Sequence, residues 1–275
     1  MRLRNIIMCA ALAGAMALGT SGCSKTETSL QGNVQDVVLE EGDTVAEIVI
    51  RDYGTIYAKL YPDAAPVGVE NFTKLAESGY YDGLTIHRVI SGFMMQGGSL
   101  NGDGTGGEAL VEGGSFGVET DDNMRHFYGA LCYANAMGTN TTQFYIVNNK
   151  EPQNLSEDYD VSDFESYADT FGIYAEMYAD QTDYAEYYSF RADYYSTIAD
   201  WIGNASDEVR DKYMQVGGTP TLDGNYTVFG QVYDGFDVID AISAVEVEDN
   251  GNDEVSKPVD DIIIESVTVY TYSQE

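Results

Sequence analysis

Positive charge is what this sequence lacks most: 13 lysines and arginines stand against 46 aspartates and glutamates in 275 residues, a formal net charge of −33. Binding a phosphate backbone needs clustered cations, so nucleic acid is excluded as a partner, and direct adhesion to anionic lipid headgroups is disfavoured for the same reason. The acidity reads as solubility rather than as an acid-specific chemistry. Cysteine is scarce as well, with only Cys9, Cys23 and Cys132, which excludes a disulfide framework. Cys132 lies in an apolar strand pattern with no neighbouring cation or histidine, the setting of a small buried thiol rather than a nucleophile. His87 and His126 are the only two histidines. Neither has a sequence neighbour suited to acid–base or nucleophilic work, and both read as structural. What is not short is core material: 44% hydrophobic and 12% aromatic content fills a packed interior without staples.

A long apolar run is also missing. The N-terminal one, from Ile6 to Leu18 behind Arg2 and Arg4, falls short of the ~20 residues that cross a bilayer, so residues 1–22 read as a secretory signal. Gly22-Cys23 resembles a lipoprotein cleavage site, although Thr20 stands where leucine is usual. Cys23 is then the lipidated first residue of the mature chain, and residues 23–43, polar and acidic, form a tether between anchor and domain. The expected location is the extracytoplasmic side of a membrane, attached by acyl chains alone.

Past the tether, apolar alternation over Val45 to Arg51 and Thr55 to Tyr61 flanks Asp52-Tyr53-Gly54 and predicts a hairpin. Pro66 suits a first helical turn, Val69, Phe72, Leu75 and Ala76 recur at helical spacing, and Gly79 can end that helix. A second short helix follows Gly235, with Phe236, Ile239 and Ile242 on one face. Strand patterns dominate elsewhere and end in a long strand from Ile262 to Tyr270. Short strands, glycine turns and two helices predict a mainly β fold, barrel or sandwich.

The central segment, residues 150–216, differs in kind. It holds 16 acidic against 4 basic residues and 10 of the chain's 22 tyrosines. Tyr167, Phe171, Tyr174 and Tyr178 recur at helical spacing, as do Tyr184, Arg191, Ile198 and Trp201. Two amphipathic helices are predicted, then a third from a Ser206 cap to about Met214. The aromatic stripe reads as a packing face. The glycine-rich run Gly97 to Gly107 lacks the Gly-Lys-Ser/Thr ending of a phosphate loop, and Asp249 to Glu254 misses the spacing of a calcium loop and reads as a solvated turn. No metal and no cofactor is expected.

The most informative stretch is Ile86-His87-Arg88-Val89-Ile90-Ser91-Gly92-Phe93-Met94-Met95-Gln96-Gly97-Gly98. Alternation sets Arg88 beside Ile90 and Met94 beside Gln96, a cation and an amide over an apolar floor. This run resembles the active-site signature of cyclophilin-type peptidyl-prolyl isomerases. Gly102-Asp103-Gly104-Thr105-Gly106-Gly107, the run Gly129 to Ala136, Gln143-Phe144-Tyr145-Ile146, and Leu222-Asp223-Gly224-Asn225-Tyr226-Thr227-Val228-Phe229-Gly230 follow in that family's order. The resemblance covers roughly residues 45–148 and 217–271.

It implies a closed eight-stranded antiparallel barrel with two capping helices and a groove on the outer wall, formed by residues 44–149 and 217–275 with 150–216 as a helical insertion. It further implies that Arg88 and Gln96 are catalytic, and that Phe93, Met94, Tyr145 and Leu222 line a proline pocket. Gln143 would orient the substrate, and the Ala134-Asn135 backbone would pair with it. Thr221 replaces a tryptophan, Tyr226 a histidine of the groove, and Tyr145 a phenylalanine. The expected function is X-Pro isomerisation in exported proteins by a monomer. The alternative is a proline-peptide binding module or folding chaperone with little turnover, its partner recruited by the insertion. Because the insertion joins Tyr145 to Leu222, it is expected to stand beside the site.

Overall fold

The computed structural model describes residues 37–274. The signal 1–22, Cys23 and the tether as far as residue 36 lie outside the described residues. Among those described, no helix is long and apolar enough to cross a membrane.

The chain opens with the hairpin β1 (Thr44–Ile50) and β2 (Gly54–Leu60), paired residue by residue from Thr44 opposite Leu60 to Ile50 opposite Gly54. Asp52 takes a left-handed conformation in the turn (φ 65°), which a short polar side chain tolerates. Helix α1 (Pro66–Glu77) starts on Pro66 and buries Val69, Phe72, Leu75 and Ala76. The two backbone amides that no helical carbonyl can reach, Val67 and Gly68, donate to the Glu119 carboxylate at 3.0 and 2.7 Å, a negative charge where the helix dipole favours one.

Strands β3 (Ile86–Ile90), β4 (Met94–Gly97), β5 (Phe116–Gly117), β6 (Ala130–Ala136) and β7 (Thr139–Val147) follow. Three helices come next: α2 (Val161–Met177), α3 (Thr182–Gly203) and α4 (Asp207–Val216). After a one-turn 3-10 helix, Pro220–Leu222, the chain forms β8 (Val228–Asp234), α5 (Phe236–Ser243), β9 (Val247–Asp249), β10 (Val255–Pro258) and β11 (Ile264–Thr271).

The main sheet is antiparallel in the order β11-β1-β2-β8-β6-β7-β4-β3, with β5 added to β7, while β9 and β10 make a separate hairpin. The sheet curls around a core that includes Ile48, Ile56, Leu131, Phe144, Ile146 and Phe229, with Phe72 of α1 inserted from one end. Phe72 meets Phe144 edge-on at 5.8 Å and Phe229 at 5.1 Å between ring centres.

The mainly β architecture and its two end helices, α1 and α5, are as expected. Full closure is corrected. The edge strands β3 and β11 share no ladder, and only the bridge Thr85–Ile263 joins that seam, with backbone bonds such as Ile86 N to the Ile262 carbonyl at 2.9 Å. Beyond Ile86 the outer edge of β3 turns to the β9–β10 hairpin instead, so the sheet closes at one end of the seam only.

Helices α2 and α3 pack along each other through rings, with Phe171 stacked on Tyr195 at 5.6 Å and Tyr178 against Tyr184 at 5.7 Å. Ser206 caps α4, its side chain accepting from Val209 N at 3.3 Å. These helices share a second small core, in which Tyr195, Ile198, Ile202, Val209 and Tyr213 close over Phe127.

Asn71 ties the layers together. Fully buried, it accepts from Leu110 N at 2.7 Å and donates to the Tyr133 hydroxyl at 3.0 Å and the Thr141 carbonyl at 2.8 Å. Asn71→Ala removes all three bonds, although the Tyr133 hydroxyl keeps its bond to the Gly68 carbonyl at 2.9 Å, and is expected to cost about 1–3 kcal/mol for each buried group left unpaired. A fall in the urea midpoint with unchanged denaturant slope checks this.

Candidate active site

Two faces of the same strands carry two different apolar clusters. On β4, Met95 points into the barrel core, whereas Met94 joins Ala130, Cys132, Tyr145, Val147, Leu222 and Val228 in a cluster on the outer wall. Ile90, Phe93, Ala134 and Tyr226, all partly exposed, pack on that cluster. The structure therefore brings together Phe93, Met94, Ala134, Tyr145, Leu222 and Tyr226. Phe93 is fixed by its backbone, its N–H donating to the Asn148 side-chain oxygen at 2.8 Å while its carbonyl accepts from Asn148 N at 3.1 Å.

The polar groups lie along one edge. Arg88 Nη1 donates to Gln96 Oε1 at 3.2 Å and rests 3.8 Å from the Met94 sulfur. Gln96 Nε2 donates to Gln143 Oε1 at 3.0 Å, and Gln143 Nε2 donates to the Gly104 carbonyl at 2.9 Å. The chain Arg88–Gln96–Gln143–Gly104 fixes both amides and ties the glycine loop to the site. A guanidinium here has a defined orientation beside apolar surface. Burial pushes the Cys132 thiol well up, which leaves no thiolate for nucleophilic work. Burial likewise keeps the Tyr145 phenol neutral, and its hydroxyl sits against that thiol.

Ala134 and Asn135 lie where β6 leaves its neighbour. The ladder to β8 ends at Cys132 opposite Val228, and a register shift follows Tyr133 on the β7 side. The Asn135 side chain accepts from Gly138 N at 3.0 Å and donates to the Asn225 carbonyl at 2.9 Å, so it shapes the hairpin and the facing loop.

Several supporting residues were invisible in the sequence. Asp223, 2% exposed, accepts from His126 N at 2.9 Å, from His126 Nδ1 at 2.8 Å and from the Tyr213 hydroxyl at 2.8 Å, with Arg125 Nε at 3.6 Å. His126 thus has a carboxylate partner that its sequence neighbours did not suggest. His126 lies parallel to the Tyr145 ring at 6.1 Å, a buttress behind the apolar cluster. Tyr213 belongs to α4, so the central helices hold the turn that carries Leu222.

Helix α3 acts on the same turn. Gly224 (φ +73°) approaches it so closely that an added Cβ would collide with Trp201 and Thr197, and Asn225 Nδ2 donates to the Tyr194 carbonyl at 3.1 Å. The one signal available in the sequence was that the insertion ends beside groove residues. A cavity of about 430 Å³ is lined by Asp122, Arg125, Asp200, Trp201 and Glu208 among others, and by none of the groove residues. Its charged walls do not suit an apolar ring.

Asp249 to Glu254 is mostly the solvated turn expected, exposed at Asp249, Gly251, Asn252 and Asp253, but its last residue docks inward. Glu254 folds onto Arg88 with Nε to Oε1 at 2.7 Å and Nη2 to Oε2 at 2.8 Å, and these bonds hold its carboxyl below the usual carboxylate range. Among the described residues no His, Cys, Asp and Glu grouping could hold a metal ion.

Comparison with known proteins bears on the family and the fold. The family model described as cyclophilin type peptidyl-prolyl cis-trans isomerase/CLD matches residues 45–162 and 209–269. A Staphylococcus aureus (strain COL) protein named as a peptidyl-prolyl cis-trans isomerase is 37% identical over 218 residues, 78% of this chain and 87% of the relative. One from Staphylococcus haemolyticus is 35% identical over 217 residues, 78% and 86% of the two chains. Among solved structures, a Cryptosporidium parvum cyclophilin type peptidyl-prolyl cis-trans isomerase superposes with a TM-score of 0.54 at 22% identity, covering 84% of this chain and 99% of that one. The same protein in the presence of the dipeptide Ala-Pro gives 0.53 at 22% identity, covering 83% and 99%.

His87, next to Arg88, has both ring nitrogens buried, and burial followed by the Arg88 charge lowers its pKa to about 4 against a weaker opposing backbone contact at Thr85. Between about pH 6.5 and 4 the unfolded chain binds a proton that the folded one refuses, so stability falls as pH drops through that window. A His87→Leu variant is expected to lose less stability between pH 7 and pH 4.5, by up to ~3 kcal/mol. Urea midpoints of both proteins at the two pH values measure it.

Proposed function

Since the chain belongs to the cyclophilin-type peptidyl-prolyl cis-trans isomerases, we propose that it isomerises X-Pro bonds of exported proteins, with Arg88 as the group that stabilises the twisted amide. The observation that carries this reading is the Arg88 guanidinium held against Gln96 and Met94 at the rim of the outer apolar cluster.

The chemistry required is modest in kind and large in barrier. Amide resonance holds the X-Pro bond planar against ~18–20 kcal/mol, and rotation takes tens of seconds or more. No covalent bond needs to form or break. As the bond twists, the prolyl nitrogen recovers its lone pair and becomes a hydrogen-bond acceptor, which the planar amide does not offer. A donor already aimed at that nitrogen is stronger in the transition state than in the ground state, the condition for raising turnover.

In this reading Phe93, Met94, Tyr145, Leu222 and Tyr226 take the proline ring. The Ala134-Asn135 backbone pairs with the extended segment before it, while Gln96 and Gln143 orient Arg88 and the substrate carbonyl. The acyl anchor on Cys23 keeps a monomeric catalyst at the outer face of the membrane, where exported chains fold.

The purified chain and its Arg88→Ala variant are to be compared on a short proline peptide. A fall in kcat/KM of about 10²–10³-fold is expected, the usual loss for one preorganised donor; equal rates would reject the role of Arg88 and favour binding without turnover. For the anchor, cells expressing the chain and given a labelled fatty acid are expected to yield labelled protein in the membrane fraction, and Cys23→Ser is expected to abolish the label.

A further inference from the structure

Arg88 is gripped from a side that the substrate groove does not supply. Glu254, 166 positions away in sequence, meets it with two parallel hydrogen bonds of 2.7 and 2.8 Å. Both side chains are largely buried, at 16% and 17% exposure. The carboxylate is itself built in. The Asn250 side chain donates to Glu254 Oε1 at 3.3 Å and to the Ser256 hydroxyl at 3.2 Å, and Asn250 N donates to the Glu254 carbonyl at 2.9 Å. The tip of the β9–β10 hairpin is tightened further by Gly251 N to Asp249 Oδ1 at 2.6 Å and Asn252 N to Asn250 Oδ1 at 2.9 Å. The hairpin lies against β3, along the seam the barrel leaves open.

We propose that Glu254 is a positioning residue for the isomerase reaction, a carboxylate that locks the plane of the Arg88 guanidinium before substrate arrives. This deepens the reading of Arg88 given above and rests on it. An unrestrained arginine carries ~2 kcal/mol of rotamer entropy, which a catalyst would otherwise lose at each turnover. A fork-to-fork contact with a carboxylate removes that freedom and fixes direction as well as place. With Glu254 on the Nε–Nη2 edge and Gln96 on Nη1, the guanidinium is held on two edges.

The charge arithmetic favours this use. Twisting an amide shifts electrons between nitrogen and oxygen without creating a net charge, so partial neutralisation of the arginine sacrifices little, whereas misdirection of its N–H groups forfeits the one bond that matters. A 1 Å error in placing a catalytic group is enough to cost orders of magnitude in rate.

The test is a mutant cycle on the full chain with a short proline peptide: wild type, Arg88→Ala, Glu254→Ala, and both together. Glu254→Gln accompanies them, because it keeps size and one acceptor while its amide group opposes Nη2. Glu248→Gln serves as a control, since it breaks the exposed Lys257–Glu248 pair of the same hairpin, 2.9 Å long, without touching Arg88. Glu254→Ala is expected to lower kcat about tenfold with KM within about twofold. Glu254→Gln should fall in between, Glu248→Gln should match wild type, and the double variant should be no slower than Arg88→Ala alone.

The Arg88 side-chain Nε–H NMR signal, protected in wild type, should exchange rapidly in Glu254→Ala. Full activity in Glu254→Ala, or an equal loss from it when Arg88 is already alanine, overturns the positioning role and leaves that of Arg88 standing. Wild-type activity in Arg88→Ala overturns both.

Discussion

Every strand of the groove wall is also a strand of the barrel, so one alternation serves two interiors. Met95, Leu131, Phe144 and Ile146 point inward, while Met94, Gln96, Cys132, Tyr145 and Val147 point outward from the same three strands. Because side chains change face at each residue, a slip of one position would exchange the pocket for the core. The register of β4 and β7, Met94 opposite Val147 through Gly97 opposite Phe144, is therefore the constraint on which both stability and site geometry rest. The barrel interior pins it, since moving several large buried side chains into water costs about 1.5–3 kcal/mol apiece.

On that frame two carboxylates organise the polar half of the site. Glu254 reaches Arg88 across the incompletely closed seam, and Asp223 gathers His126, Tyr213 and Arg125 beneath the turn that carries Leu222. Each is a largely buried charge matched by several donors, the arrangement in which removing one partner is costly. The seam and the pocket are linked through this geometry: had β3 and β11 formed a full ladder, the β9–β10 hairpin would have no edge to lie against and Arg88 no carboxylate. The central helices share in the same frame, because Tyr213, Trp201 and Tyr194 brace the stretch from Leu222 to Tyr226.

Much of this was legible in the chain. Alternation around Arg88, Met94 and Gln96 gave the outward face of β4, the Pro66 start and the Val69–Phe72–Leu75 spacing gave α1, and the Ser206 cap marked the start of α4. These are local signals, carried within a few residues of one another. The docking of Glu254 was not legible because an acidic loop viewed alone resembles any solvated loop, and the partner of its last residue lies on β3. His126 looked isolated for the same reason, since Asp223 is 97 positions away. Full closure came with the family resemblance alone, since period-2 patterns report which face is buried and say nothing about whether the last strand meets the first.

By itself the amino-acid sequence determined which side chains face together along each strand and helix, the overall acidity, and the ordered blocks that place the chain in its family, because periodicity and local chemistry are written residue by residue. Only the tertiary structure decided which carboxylate grips Arg88, which one anchors the pocket turn, and where the seam stays open. Glu254 meets Arg88 across 166 positions and Asp223 meets His126 across 97, and the energy of such contacts exists only once folding has removed water and chain freedom from between them.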